Sequence, residues 1–493
     1  MSEGILIGGY DQGRIYLNPR YANRHGLIAG ATGTGKTVTL QCLAEGFSAL
    51  GVPVFMADVK GDLTGLSQAG KPHPKVDERL EKIGIDGYTQ QGYPISLWDV
   101  FGEKGTPVRS TISEMGPQLL AQLLDLNDTQ EGVLTLTFEF ADDEGLLLVD
   151  LNDLRTTLSF IADHGKEIDA HLAVSKASVN AILRKLLMLE REGGDLFFGE
   201  PALKLDDFIQ VDRDGRGIIN ILESEKLIRS PRVYATFLLW LLSELFENLP
   251  EVGDQEKPTM VFFFDEAHLL FNNASKVLIE KIEQVVRLIR SKGVGVYFIT
   301  QSPADLPDNV LGQLGNRVQH ALRAFTPKDQ KAVRVAAQTF RANPNLDTES
   351  TITEMGVGEA LVSVLQEGGI PSVVERTLIR PPESRIGPAS EAECELIIER
   401  DPMHRRYKES YDPHSAHEEL QQRVEKQMEQ MNAERAREAE EKAARKESRR
   451  SSGSSRQSVT EALVKSVVRS IGSSVGRSVG KSLLRGILGS LLK

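Results

Sequence analysis

Near the start of the chain, Gly30-Ala31-Thr32-Gly33-Thr34-Gly35-Lys36-Thr37 stands between a short apolar run, His25-Gly26-Leu27-Ile28-Ala29, and a stretch of helical periodicity from Thr37 to Leu50. Few folds accept that order. The glycines allow the backbone to turn its N–H groups inward around phosphate oxygens, and the helix that follows points its positive end at the same place. Lys36 adds a cation for the β and γ phosphates, and the Thr37 hydroxyl is placed to hold Mg²⁺. Strand, glycine-rich loop and helix in sequence predict an ATP site, with residues Gly30 to Thr37 around the nucleotide. They also predict an α/β fold with a RecA-like P-loop core.

The rest of the chain supplies the sheet. Val52 to Ala57 reads as a second buried strand ending at Asp58, and Thr259 to Phe264 as a continuous apolar strand ending at Asp265. A helix is predicted from about Ser275 to Lys292, followed by an apolar strand, Gly295 to Thr300, ending at Gln301. Further short strands are expected near Arg317 to Arg323 and Glu359 to Leu365. Strands alternating with helices imply a parallel sheet, whose ligands sit at the carboxyl ends of the strands. A buried strand delivering Asp265 and Glu266 to that edge completes a Walker-B pattern. Asp265 is expected to bind Mg²⁺ through water, and Glu266 to accept a proton from the attacking water. Gln301 ends the neighbouring strand, where a polar residue can sense the γ-phosphate and orient water. Asp58-Val59-Lys60-Gly61-Asp62 ends the second strand in a charged turn that fits equally a nucleotide contact, a subunit contact or a plain surface turn.

Between the two halves the texture changes. From about Ser110 to Asn248 helical periodicity dominates, as in Gln118 to Leu126, Val174 to Glu190 and Tyr234 to Phe246, with a helix start at Asp150 to Arg155. The organisation predicted is a first part of the core at 1–109, a mostly helical insertion at 110–255, the second part of the core at 256–385, a charged helical linker at 386–455, and a basic amphipathic helix at 456–493. The tail is expected to be helical and partly disordered. From Glu418 to Arg450 it is mostly Glu, Gln, Arg, Lys and Ala, a solvated helix or coiled coil. In the last stretch Gly472, Gly476 and Gly480 recur every four residues beside an apolar stripe and a basic face. That pattern suits close helix packing or an anionic membrane surface.

Composition narrows the function classes. A net charge of −12 means the surface as a whole will not attract nucleic acid, so any DNA must meet basic residues gathered locally. Two cysteines, Cys42 and Cys394, exclude a disulfide framework and fit a reducing compartment. No run of about 18 or more apolar residues is present, nor a basic leader, so a cytoplasmic location is expected.

Asp265-Glu266-Ala267-His268 spells the DEAH helicase motif, but the second RecA-like domain of those enzymes has no counterpart here, and His268 reads as a helix-start residue. The chain instead resembles the HerA/FtsK superfamily of hexameric pumping ATPases. The resemblance rests on the P-loop, on Asp58 to Asp62, on Phe264 to His268, and on Arg290-Ser291-Lys292-Gly293-Val294-Gly295 leading to Thr300-Gln301-Ser302-Pro303. Tyr21-Ala22-Asn23-Arg24-His25 and Ser113-Glu114-Met115-Gly116-Pro117 are similar to the bacterial HerA-like proteins of the YjgR type. The resemblance implies a ring, a hexamer, with ATP between subunits and an arginine reaching the γ-phosphate from the neighbour. Arg287, Arg290, Arg317 and Arg323 are the candidates. Translocation or unwinding of DNA is the favoured reading, and with no base-reading module visible any DNA is expected to be bound through phosphates. Archaeal HerA engages the NurA nuclease through a β-barrel that precedes its P-loop. Only 29 residues precede Gly30 here, so a NurA-type partnership is not expected. Three functions compete: a ring-shaped DNA translocase or helicase, an ATPase that remodels or pumps protein, and a membrane-surface ATPase switch acting through 456–493.

Overall fold

The computed structural model describes residues 4–10, 13–168, 174–253, 255–272 and 276–451. The glycine-spaced stretch 456–493 lies outside the described residues. Two compact units divide the chain, Met1–Gln421 and Gln422–Lys493. In the second, the exposed helix Ala416–Ser451 continues through residues rich in Glu, Gln and Arg, with side chains 425–444 in solvent. No helix of the described residues is long and apolar enough to cross a membrane.

The first unit is built on one sheet of twelve strands: β1 (Ile5–Tyr10), β2 (Gly13–Leu17), β3 (Gly26–Ala29), β4 (Val54–Asp58), β5 (Ile95–Asp99), β6 (Thr106–Pro107), β7 (Ile219–Glu223), β8 (Met260–Phe264), β9 (Val294–Thr300), β10 (Asn316–His320), β11 (Glu359–Ser363) and β12 (Glu375–Ile379). Their order is β2-β1-β12-β11-β10-β3-β9-β8-β4-β7-β5-β6. From β10 to β6 every pairing is parallel, whereas β2, β1, β12 and β11 add an antiparallel extension beside β10. The expected α/β, RecA-like class is therefore met, with an antiparallel wing in which β11 matches the strand expected near Glu359 to Leu365 and β1, β2 and β12 are additional.

The parallel strands read as apolar runs because helices cover both faces. Met260 to Phe264 and Val294 to Thr300 are buried at every position. Side chains alternate across the sheet. Phe263 packs with Phe47 of helix Lys36–Ala49 and with Tyr297 of β9, while Phe262 turns to the other face against Phe55 of β4. This packing aims the carboxyl end of β8, and so Asp265, at the P-loop edge. Replacing a fully buried aromatic costs about 3–5 kcal/mol. Phe263→Ala is expected to lower the urea midpoint of the first unit by a corresponding amount, with the unfolding slope unchanged.

Two regions carry more structure than periodicity gave. The segment read as mostly helical does hold helices Ile112–Leu123, Asp128–Asp143, Leu151–Ile168, Lys176–Arg191 and Pro231–Asn248, but it also contributes β7, a central strand between β4 and β5. Asn220 in that strand is buried and satisfied, accepting from Trp98 Nε1 at 3.0 Å and donating to the Phe208 carbonyl at 3.0 Å. Residues 386–421 pack into the first unit. There Tyr407 is fully buried and donates to the Asp207 carboxylate, which Arg406 also contacts at 2.9 Å.

Candidate functional site: a P-loop facing two buried carboxylates

β3 runs between β9 and β10, and the loop that leaves it is pinned to both. The Gly30 N–H donates to the Thr300 carbonyl at 3.2 Å and the Ala31 N–H to the Ala321 carbonyl at 2.9 Å. Gly33 and Gly35 show what the loop asks of its backbone. Gly33 has φ 77° and Gly35 has φ 112°, and a Cβ on Gly35 would stand 3.2 Å from the Gly358 backbone. Gly358 in turn donates its N–H to the Thr34 carbonyl at 2.9 Å, so the turn before β11 braces the loop from outside. Arg79 holds that turn, donating to the Gly358 carbonyl at 2.7 Å.

Helix Lys36–Ala49 starts inside the loop with no side-chain cap. Its first-turn N–H groups have no intrahelical partner and face the cradle, which suits an anion. The buried Lys36 ammonium folds back on the loop, donating to the Gly30 carbonyl at 2.6 Å and the Ala31 carbonyl at 3.2 Å. Burial holds its pKa below the ordinary lysine value, against the pull of Glu266 and Asp265. His320 closes the floor. It is fully buried at the end of β10, with Nε2 2.8 Å from Thr39 Oγ1. Burial and the nearby Lys36 charge push its pKa down to about 4, so it is a neutral neighbour of the lysine.

Across the site, β8 ends in Asp265 and Glu266, both buried. Glu266 has φ 47°, a left-handed conformation that a non-glycine residue rarely adopts. Its own N–H donates to Asp265 Oδ1 at 2.9 Å, its carbonyl accepts from Leu269 at 2.9 Å, and the next residue, Ala267, donates to Ile299 in β9 at 2.8 Å. Such strain is kept where the surroundings over-determine the backbone, as at functional sites. Burial raises the Asp265 pKa above the ordinary carboxylate value against the charge of Lys60. For Glu266 burial also pushes upward, but the Lys60 hydrogen bond and charge outweigh it, and the net direction is down.

The register β3-β9-β8 sets Gln301, immediately after β9, between loop and carboxylates. Gln301 Nε2 is 3.4 Å from Glu266 Oε2. Asp305 ties the strand end on either side of it, accepting from Thr300 Oγ1 at 2.8 Å and from the Ser302 N–H at 2.9 Å. His268 begins the short helix His268–Asn272, as expected, and its Nδ1 also stands 3.3 Å from Glu266 Oε2.

The charged turn after β4 reaches the same carboxylates. Lys60 Nζ is 2.7 Å from Glu266 Oε1 and 3.6 Å from Asp265 Oδ2. The turn is shaped by the buried Asp58 carboxylate, which accepts from the N–H groups of Lys60 (3.1 Å), Gly61 (2.8 Å) and Leu63 (2.9 Å). Burial pushes the Asp58 pKa up to about 7, against those hydrogen bonds. Sequence left this turn open among three readings because strand order was not readable. β4 lying directly beside β8 is what brings Lys60 to Glu266. His320 carried no sequence signal at all, since its role comes from burial against the loop.

Of the arginine candidates, Arg317 is committed to its own chain, donating to the carbonyls of Leu314, Thr339 and Leu311 at 2.9, 2.9 and 3.0 Å. Arg287, Arg290 and Arg323 have exposed side chains.

The donor set fits a nucleotide with its metal ion. The loop offers backbone N–H groups and one ammonium to phosphate oxygens. Thr37 and Asp265 offer the hard oxygens of a Mg²⁺ site, which ordinarily takes one or two protein oxygens and fills the rest with phosphate and water. Among the described residues no group of three or more His, Cys, Asp or Glu stands ready to cage a metal without such help.

The DNA double-strand break repair helicase HerA of Sulfolobus acidocaldarius is 22% identical over 379 residues, covering 73% of this chain and 66% of that protein. The probable helicase MJECL08 of Methanocaldococcus jannaschii is 27% identical over 195 residues, covering 38% of this chain and 34% of that protein. The chain thus spans less than two thirds of the length of these curated relatives. Among solved structures, the bacterial conjugative coupling protein TrwBdeltaN70 is similar with a TM-score of 0.47 at 16% identity, over 78% of this chain and 92% of that one. The helicase HerA-like C-terminal family matches residues 5–493, and the chain belongs to that family.

Proposed function

We propose that the chain is an ATP hydrolase that couples turnover to movement along or unwinding of DNA, working as a ring, a hexamer, with ATP at the subunit boundaries. The observation that carries the reading is the meeting of three strand ends. The P-loop after β3, Asp265-Glu266 after β8 and Gln301 after β9 converge, with Gln301 Nε2 3.4 Å from Glu266 Oε2. In this reading Gly30 to Lys36 bind the phosphates through backbone N–H groups and the Lys36 ammonium. Thr37 and Asp265 would hold Mg²⁺, which would supply neutralisation of phosphate charge. Glu266 accepts the proton of the attacking water, and Gln301 orients that water. The strained Glu266 backbone supports this role, because such strain is kept where surrounding structure holds a residue for a functional task. Membership of a helicase family and similarity to an archaeal DNA double-strand break repair helicase support DNA as the polymer.

Binding through phosphates makes a specific forecast. ATP hydrolysis is expected to rise with duplex DNA, and the stimulation to fall steeply with salt, since phosphate contacts release counterions. The assay is the ATPase rate with and without duplex at several salt concentrations, beside the native mass with ATP and Mg²⁺. A rate indifferent to DNA but raised by a protein partner would replace the DNA reading with a protein-pumping one. A chain that stays monomeric at full rate would remove the ring.

A further inference from the structure

We propose that Lys60 is a positioning residue for Glu266: its ammonium holds the Asp265–Glu266 pair in the nucleotide-free chain and surrenders it when Mg²⁺ and nucleotide arrive. The proposal rests on the reading of the site as a Mg²⁺-dependent nucleotide site, and it assigns a role to the turn after β4 that the sequence left open.

Lys60 Nζ bridges the two carboxylates, at 2.7 Å from Glu266 Oε1 and 3.6 Å from Asp265 Oδ2. A single cation between those oxygens stands close to where a divalent ion bound by Asp265 would bring its charge. The other Glu266 oxygen, Oε2, faces Gln301 Nε2 at 3.4 Å and His268 Nδ1 at 3.3 Å. Both oxygens of the intended base therefore have a polar neighbour, and the ammonium on Oε1 makes that oxygen a weaker acceptor of a proton from water.

The partners differ in freedom. The Lys60 side chain is 40% exposed, against 7% and 9% for Asp265 and Glu266, so the lysine is the partner that can withdraw into solvent. Its base is fixed, because Asp58 accepts three backbone N–H groups of the turn. A divalent ion at Asp265 repels the ammonium, which can move into solvent. The ion pair thus opposes metal–nucleotide binding and lowers the basicity of Glu266 until the site is filled.

The test uses the full chain, a fluorescent non-hydrolysable ATP analogue and a Mg²⁺ titration. In Lys60→Met the Mg²⁺ concentration at half-saturation is expected to fall about two- to fivefold, the range for losing a half-exposed ion pair. Lys60→Arg, which keeps the cation, is expected to stay near wild type, and thermal melting of both variants reports that the fold is intact. Unchanged or weaker Mg²⁺-dependent binding in Lys60→Met overturns the proposal. Absence of analogue binding by the wild-type chain at any Mg²⁺ concentration overturns the nucleotide-site reading itself, and this proposal with it.

Discussion

Lys36→Ala is expected to reduce ATP hydrolysis by at least about 10²–10³-fold, the effect of deleting one preorganised donor to developing charge. The reason is positional. Lys36 is the cation inside the loop, buried and turned onto the Gly30 and Ala31 carbonyls at 2.6 and 3.2 Å. Those carbonyls are weak partners for an ammonium whose pKa burial already depresses, so phosphate oxygens are a better destination for it. Alanine is a strong helix former, so the helix Lys36–Ala49 should keep its start. Steady-state phosphate release with ATP and Mg²⁺, beside a far-ultraviolet spectrum of the variant, checks both points. Turnover at the wild-type rate would remove residues Gly30 to Thr37 from the site.

Glu266→Gln is expected to separate binding from chemistry. A general base contributes about 10²–10⁴-fold to rate, so turnover should fall by that factor. ATP affinity should hold, because in the proposed reading the loop binds the phosphates, and Thr37 and Asp265 the metal ion. The amide is close in shape to the carboxylate and can keep the contact with Gln301, now at 3.4 Å. It cannot keep the ion pair with Lys60, so any change in affinity should be toward tighter Mg²⁺-dependent binding. Equilibrium binding of ATP with single-turnover hydrolysis distinguishes the two effects. Loss of binding with an unchanged single-turnover rate would mean that Glu266 has been given the wrong role.

Much of the nucleotide side of this protein is local in sequence, and for that reason it was legible. The P-loop, its strand and its helix are contiguous, and each long apolar run, Met260 to Phe264 and Val294 to Thr300, ends in the polar residue that matters. What was not legible depends on which strands become neighbours. Lys60 sits more than two hundred positions from Glu266 in the chain, and only the pairing of β4 with β8 joins them. His320 and Gly358 brace the loop from β10 and from the turn before β11, elements whose sequences show nothing of that task. In the antiparallel wing β11 was expected near Glu359 to Leu365, but β1 was not, because Gly8 and Gly9 interrupt its apolar run. Gly8 is needed there because a Cβ would meet the Leu378 carbonyl at 2.0 Å. β7 was hidden inside a helical stretch, since a five-residue apolar run does not distinguish strand from helix by periodicity.

The most direct test of the central claim is an experimental structure of the Glu266→Gln chain with ATP and Mg²⁺. The account predicts the triphosphate inside Gly30 to Thr37, Mg²⁺ against Thr37 and Asp265, a water between Gln301 and the residue at 266, and Lys60 drawn off the carboxylate pair. Nucleotide bound away from the loop, or a metal ion with neither Thr37 nor Asp265 beside it, would contradict it.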